Sequence, residues 1–220
     1  MPSMIDHLVL ATDDLERTVA QITRDWGITP TPGGAHVGHG TRNELVALGD
    51  GAYLEIVGPD LGQADHTGAR PFGVDGRSGQ RLVAWCARPP LGLESARTAA
   101  LHHGHDVGPI TSMSRRRPDG VLLEWRLTFP PLSPDRPDEP AVLPFLIDWL
   151  HSQHPTTSLH HRVQLLELQL QPQTPAAERV IAVVDAIAPD RRISVRATVD
   201  LRDHLVARVM TPIGEVTLTG

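Results

Sequence analysis

Ile5-Asp6-His7-Leu8-Val9-Leu10-Ala11 is an apolar, partly β-branched run, and Leu82-Val83-Ala84-Trp85-Cys86-Ala87 is a second one, with Leu8-Val9 and Leu82-Val83 lying 74 residues apart. Both read as largely buried strands. Each opens the same series of elements. After the first, Asp13 and Glu16 give an Asp-x-x-Glu helix start, Leu15, Val19, Ile22 and Trp26 form one helical face, and Gly27 is a stop. Thr29 to Gly34 reads as loop. Leu45–Leu48 and Ala52–Val57 are short strands around the hairpin turn Gly49-Asp50-Gly51. After the second run, 93–103 is helical and stops at Gly104. Strands are expected at 107–113, 121–129 and 143–149, with a Pro-rich loop over 130–140. A repeated unit of this kind predicts a shared interface with a cavity between the copies.

A Gly-rich stretch over 58–79 has the composition of a linker between the two. A third series begins at Val163. Leu166, Leu168 and Leu170 alternate with polar residues, Thr174-Pro175 opens a helix with Val180, Ile181, Val184 and Ile187 on its apolar face, and 193–199 and 205–218 read as two strands, the second bent at Pro212 or Gly214. The expected architecture is α+β: βαβββ units at 1–60 and 80–150 forming a cup-shaped mixed sheet, and a partial βαββ unit at 163–220.

Composition excludes several chemistries. All 20 basic residues are Arg and Lys is absent. That removes Schiff-base catalysis, the Gly-rich phosphate loop ending in Gly-Lys and the kinase strand lysine. A formal charge of −6 argues against a general nucleic-acid partner. Cys86 is the one cysteine, so neither an internal disulfide nor a CxxC motif exists. No apolar run approaches membrane-spanning length, and the N-terminus lacks the pattern of a signal peptide, so a cytoplasmic protein without membrane contact is expected.

The repeated unit resembles the vicinal oxygen chelate superfamily, which includes glyoxalase I, extradiol dioxygenases and the fosfomycin and bleomycin resistance proteins. Ile5-Asp6-His7-Leu8-Val9, Gly33 to Asn43, Leu48 to Ile56, and Pro144-Phe145-Leu146-Ile147-Asp148-Trp149 are similar to the bacterial glyoxalase-like domain family. The resemblance implies a small oxygen-rich ligand held in a cup between units. It also implies lyase, isomerase or dioxygenase chemistry on a divalent metal (Zn, Ni, Fe, Co or Mn), and pairing of units within a chain or in a homodimer. His7 falls at the first-strand ligand position and Glu55 at the last-strand one, so both are expected to be catalytic. In the second unit Asp148 matches Glu55 and is a third expected ligand. Arg81 falls where a second histidine belongs, and a guanidinium offers no lone pair. His36, His39, His151 and His154 are replacement candidates.

The alternative is a metal-free binding or resistance protein. There Arg81 pairs with Glu55 or Asp148 or grips a ligand carboxylate, and His7 is a hydrogen-bonded core residue. His39, Thr41 and Asn43 on the glycine-rich loop Gly33 to Asn43, and Trp85 and Trp125 on second-unit strands, complete the expected ligand-binding set, with Trp149 a further pocket candidate. Alternation puts one of Glu124 and Trp125 in the cup. Cys86 is read as an inert buried thiol, and Arg115 to Arg117 as a solvated tip.

Overall fold

The computed structural model describes residues 4–76, 78–116, 120–129, 141–160 and 163–220. The Pro-rich stretch 130–140 and Arg117 lie outside them. The first unit runs β1 (Ile5–Thr12), α1 (Leu15–Trp26), β2 (Thr31–His36), β3 (Thr41–Ala47) and β4 (Tyr53–Pro59). Asp14, one residue beyond the expected start, caps α1 by accepting from the Arg17 N–H. Gly27 ends the helix at φ 67°, the left-handed conformation glycine adopts without strain. The second unit repeats the order with β5 (Gln80–Ala87), α2 (Leu93–His102), β6 (Ile110–Arg116), β7 (Leu122–Thr128) and β8 (Phe145–Asp148).

In the first unit β1 lies parallel to β4, and β3 and β2 follow antiparallel. β5, β8, β7 and β6 repeat that pattern. Antiparallel pairing of β1 with β5 fuses the two halves into one sheet of eight strands, ordered β2-β3-β4-β1-β5-β8-β7-β6. The terminal strands β2 and β6 come into contact, so the sheet curls almost closed into a cup. Strand alternation then sorts the side chains. Leu8, Leu10, Leu54, Ile56, Leu82 and Trp85 face outward onto α1 and α2, whereas Val9, Ala11, Tyr53, Ala84, Cys86, Trp125, Phe145 and Ile147 face inward.

The last third forms β9 (Gln164–Gln171), α3 (Ala177–Ile187), β10 (Ile193–Val195), β11 (His204–Thr211) and β12 (Gly214–Thr219), in a second sheet ordered β10-β9-β11-β12. The stretch read as one bent strand is a hairpin, because Pro212 and Ile213 form the turn between β11 and β12. Val183 takes the buried position expected for Ile181, which is exposed. Leu165, Leu168, Leu170, Val180 and Val184 join the same apolar cluster as the outer face of the cup. The Asp190 carboxylate accepts from the Met4 N–H at 3.0 Å, tying this third to the start of β1.

Candidate functional site

The site begins at an irregularity in β1. Pairing with β5 runs Ile5↔Ala87 and then His7↔Cys86, so Asp6 is an extra residue, a β-bulge. In a regular strand Asp6 and His7 would point to opposite faces. The bulge brings them together, and Asp6 Oδ1 accepts from His7 Nδ1 at 2.8 Å. Asp6 Oδ2 takes the Trp149 indole N–H at 3.0 Å and sits 3.0 Å from His154 Nε2. Asp6 is fully buried, which raises a carboxyl pKa. The bonds from His154 and His7 outweigh that burial and hold it well below the ordinary range.

On β4, Glu55 pairs with Val9 and lies diagonally from His7. His7 Nε2 is 3.6 Å from Glu55 Oε2, and His36 Nε2 is 3.4 Å from Glu55 Oε1. The Asn43 amide donates to Glu55 Oε1, and Arg115 Nη1 donates to Asn43 Oδ1 at 2.8 Å. Burial pushes the Glu55 pKa up, but the His36 contact, the nearby imidazole charges and the Asn43 amide bring it down to about 2. His36 is fixed from behind by a 2.9 Å contact of its Nδ1 with Thr41 Oγ. Gly33 is needed for this arrangement, since a Cβ there would overlap the Asn43 amide and come within 3.0 Å of Arg115 Nη1.

The second unit supplies the opposite wall. Met113, Trp125, Leu127, Phe145, Ile147 and Trp149 line a cavity of roughly 80 Å³ that is partly open to solvent. Tyr53 stacks on His7 with ring centroids 4.8 Å apart, and Phe145 meets His7 edge-on at 5.4 Å. Pro71 and Phe72 close one side, so the stretch read as a linker roofs the cup. Arg70 anchors that roof through Nε to the Gly40 carbonyl at 2.8 Å.

His7, His39, Asn43, Glu55 and Trp125 all line the cavity, and Thr41 stands behind His36. Arg81, Trp85 and Asp148 do not line it. Asp148 alternates with Ile147, so it leaves the cup and binds Arg126 Nη2 at 2.9 Å, while Arg126 also holds Glu94 on α2. The metal set His7, Glu55 and Asp148 is therefore not assembled. Trp85 faces the outer core, its indole N–H bonded to the Val142 carbonyl at 2.9 Å. Arg81 lies exposed opposite Ala11. Arg115, read as part of a solvated tip, is the cation that reaches the cup. Trp125 faces inward and Glu124 is exposed. Cys86 is buried, and burial with the nearby carboxylates pushes its thiol well up.

Asp6 and Arg115 are the charged participants that sequence reasoning missed, and Tyr53 and Phe145, packed on His7, are the aromatic ones. An acid within a mostly apolar strand was the signal for Asp6. Arg115 had none, because its role depends on which way β6 faces.

Two linked βαβββ units curled around a cavity, with a histidine on the first strand and a glutamate on the fourth, define a protein of the vicinal oxygen chelate superfamily. The profile of the "Glyoxalase-like domain" family matches residues 5–188, and the chain belongs to that family. No curated protein sequence matches it. Among solved structures, a hypothetical protein from Staphylococcus aureus is similar with a TM-score of 0.61 at 15% identity, over 98% of this chain and 84% of that one. A mutant 4-hydroxymandelate synthase from Streptomyces coelicolor is similar with a TM-score of 0.53 at 15% identity, over 99% of this chain and 62% of that one. At such identities the likeness is one of fold.

Proposed function

We propose that the cup binds a small oxygen-rich metabolite and moves a proton at one of its carbons. The observation that carries this reading is the division of the cavity. Its first-unit wall presents His7, His36, Asn43 and Glu55, and its second-unit wall is largely apolar apart from Arg115. Ligand oxygens fit the first wall and a carbon skeleton the second. Glu55 is ionised at any physiological pH and is the proton acceptor; a ligand that takes the Asn43 amide from it raises its basicity. His7, positioned by Asp6, directs Nε2 at the same place. Divalent metals are common in the superfamily, and one bound here would polarise a ligand oxygen.

The test uses a panel of 2-oxo acids, 2-hydroxy acids, vicinal diketones and thiol–aldehyde adducts. One class should raise the melting temperature and exchange a carbon-bound proton in D₂O, read by NMR. Glu55→Gln should keep the stabilisation and lose the exchange. Ile147→Trp, which fills the cup, should lose both. Stabilisation untouched by Ile147→Trp would place the ligand elsewhere.

A second reading, a metal-free carrier or resistance protein, draws on one observation: Asp148 and Arg81 at the expected second-unit positions do not reach the cup. Stabilisation without any exchange would favour it. Because β1 and β5 pair within one chain, neither reading needs a homodimer to complete the cup.

A further inference from the structure

We propose that Arg115 on β6 forms a carboxylate subsite in the second-unit wall of the cup. Its Nε–H edge, beside the Trp125 indole N–H, takes the acid group of a small organic acid. The inference rests on the reading above and narrows its ligand to 2-oxo and 2-hydroxy acids. Three observations carry it.

The first is a pair of orphan donors. Arg115 Nε and Trp125 Nε1 are buried and find no acceptor among the described residues. Both side chains line the same cavity. A buried N–H without an acceptor is costly, and such groups are kept where something fills them. The second is placement. In the β6–β7 pairing Arg115 stands opposite Leu123, and Trp125, two residues on, stands opposite Met113. Arg115 and Trp125 are therefore diagonal neighbours on the inward face, within reach of one ligand group. Arg115 is also the single guanidinium lining the cavity among the described residues. The third is how Arg115 is held. Among the described residues its one hydrogen bond runs from Nη1 to Asn43 Oδ1 at 2.8 Å. A guanidinium only donates and a carboxylate only accepts, so this bond turns the Asn43 NH₂ onto Glu55. The other edge of the guanidinium, Nε and Nη2, is the fork that grips a carboxylate with two parallel bonds.

One primary amide separates the guanidinium from Glu55, so a ligand carboxylate on Arg115 and the Glu55 carboxylate stand apart. An acid anchored there needs only the length of that amide to bring its next carbons to Glu55. Size narrows the class further. The cavity of roughly 80 Å³ takes about five to eight water-sized groups at about 10–15 Å³ each. That is the bulk of an acid of about three or four carbons. Neutral diketones leave both donors unpaired, and thiol–aldehyde adducts of peptide size exceed the space.

The experiment uses the full-length protein and probes of similar size: pyruvate, lactate, their methyl esters and diacetyl. Dissociation constants are read by calorimetry, with phosphate and sulfate as competing anions. The better-bound acid should bind at least about tenfold more tightly than its ester or diacetyl, the scale of a charged bidentate pair. Arg115→Met should bring that acid to the level of its ester. Arg115→Lys should recover part of the preference, since it restores the charge without the fork. Trp125→Phe should weaken the acid by about threefold and leave the ester as it was. Near-UV circular dichroism checks that each variant keeps a packed cup, and the preference of the unaltered protein tests the subsite without any variant. An ester bound as tightly as its acid would mean that the two donors meet only water, and would overturn the assignment. So would a preference kept in folded Arg115→Met, displacement of the acid by equal phosphate or sulfate, or no saturable acid binding at millimolar concentration. An acid preference without proton exchange would remove the proton transfer and leave the subsite. Exchange in diacetyl with no acid preference would do the reverse.

Discussion

Asp6 gathers His7, Trp149 and His154 onto one buried carboxylate, and Glu55 gathers His7, His36 and Asn43 onto another. Both acids titrate lower in the folded protein than in the unfolded chain, where carboxyls lie near 3.8 and 4.5. The sign follows from linkage. A lowered folded pKa means the unfolded state binds protons first, so this stabilisation is complete above about pH 4.5. It is lost as the pH falls toward 2, where Glu55 titrates. Urea unfolding between pH 2 and 7 should show a plateau followed by a steep acid loss. Asp6→Asn should lower the plateau by about 1–3 kcal/mol, because a buried amide turns a donor toward groups that need an acceptor. It should also flatten the acid slope. An unchanged slope would mean that Asp6 is not held ionised by its neighbours.

Among the elements, the β2–β3 hairpin does most to shape the site. It places His36, Thr41 and Asn43 within one turn of each other, and Gly33 keeps the Asn43 amide and Arg115 seated above the backbone. Gly33→Ala should therefore displace Asn43 from Glu55. We expect a stability loss of about 1 kcal/mol, on the scale of a small overpacking, with a larger loss of ligand-induced stabilisation. A thermal melt with and without ligand separates the two.

The repeated order of elements was legible in the sequence because hydrophobic period and Gly stops are local signals. His7 and Glu55 were legible because a resemblance fixed their strand positions. The failures were matters of face and register. Asp148 was matched to Glu55 by counting, yet the alternation that sends Ile147 inward sends Asp148 out to Arg126. The bulge at Asp6 could not be read, since an extra residue in a strand shows only against its partner. Gly33 to Asn43 read as a loop because its glycines, which here permit close packing in a hairpin, are also the residues of turns.

At the scale of the whole molecule, the third unit is a buttress. Leu93, Ala96 and Ala100 of α2 and the outward face of the cup share one core with β9, α3 and β11. Ending the chain at residue 162 should expose that surface, and contiguous apolar patches of this size promote association. We expect an insoluble or cooperatively unfolded product by sedimentation and near-UV circular dichroism. A soluble, folded fragment would show that the third unit is dispensable.

Joining both units in one polypeptide has a further effect. A cup built from two identical subunits about a two-fold axis must show every side chain twice, so a polar wall on one side demands the same wall on the other. Here each half is written separately in the gene. The second unit is free of that symmetry, and the pocket can be polar at one end and oily at the other, which lets it recognise a molecule with a head and a tail.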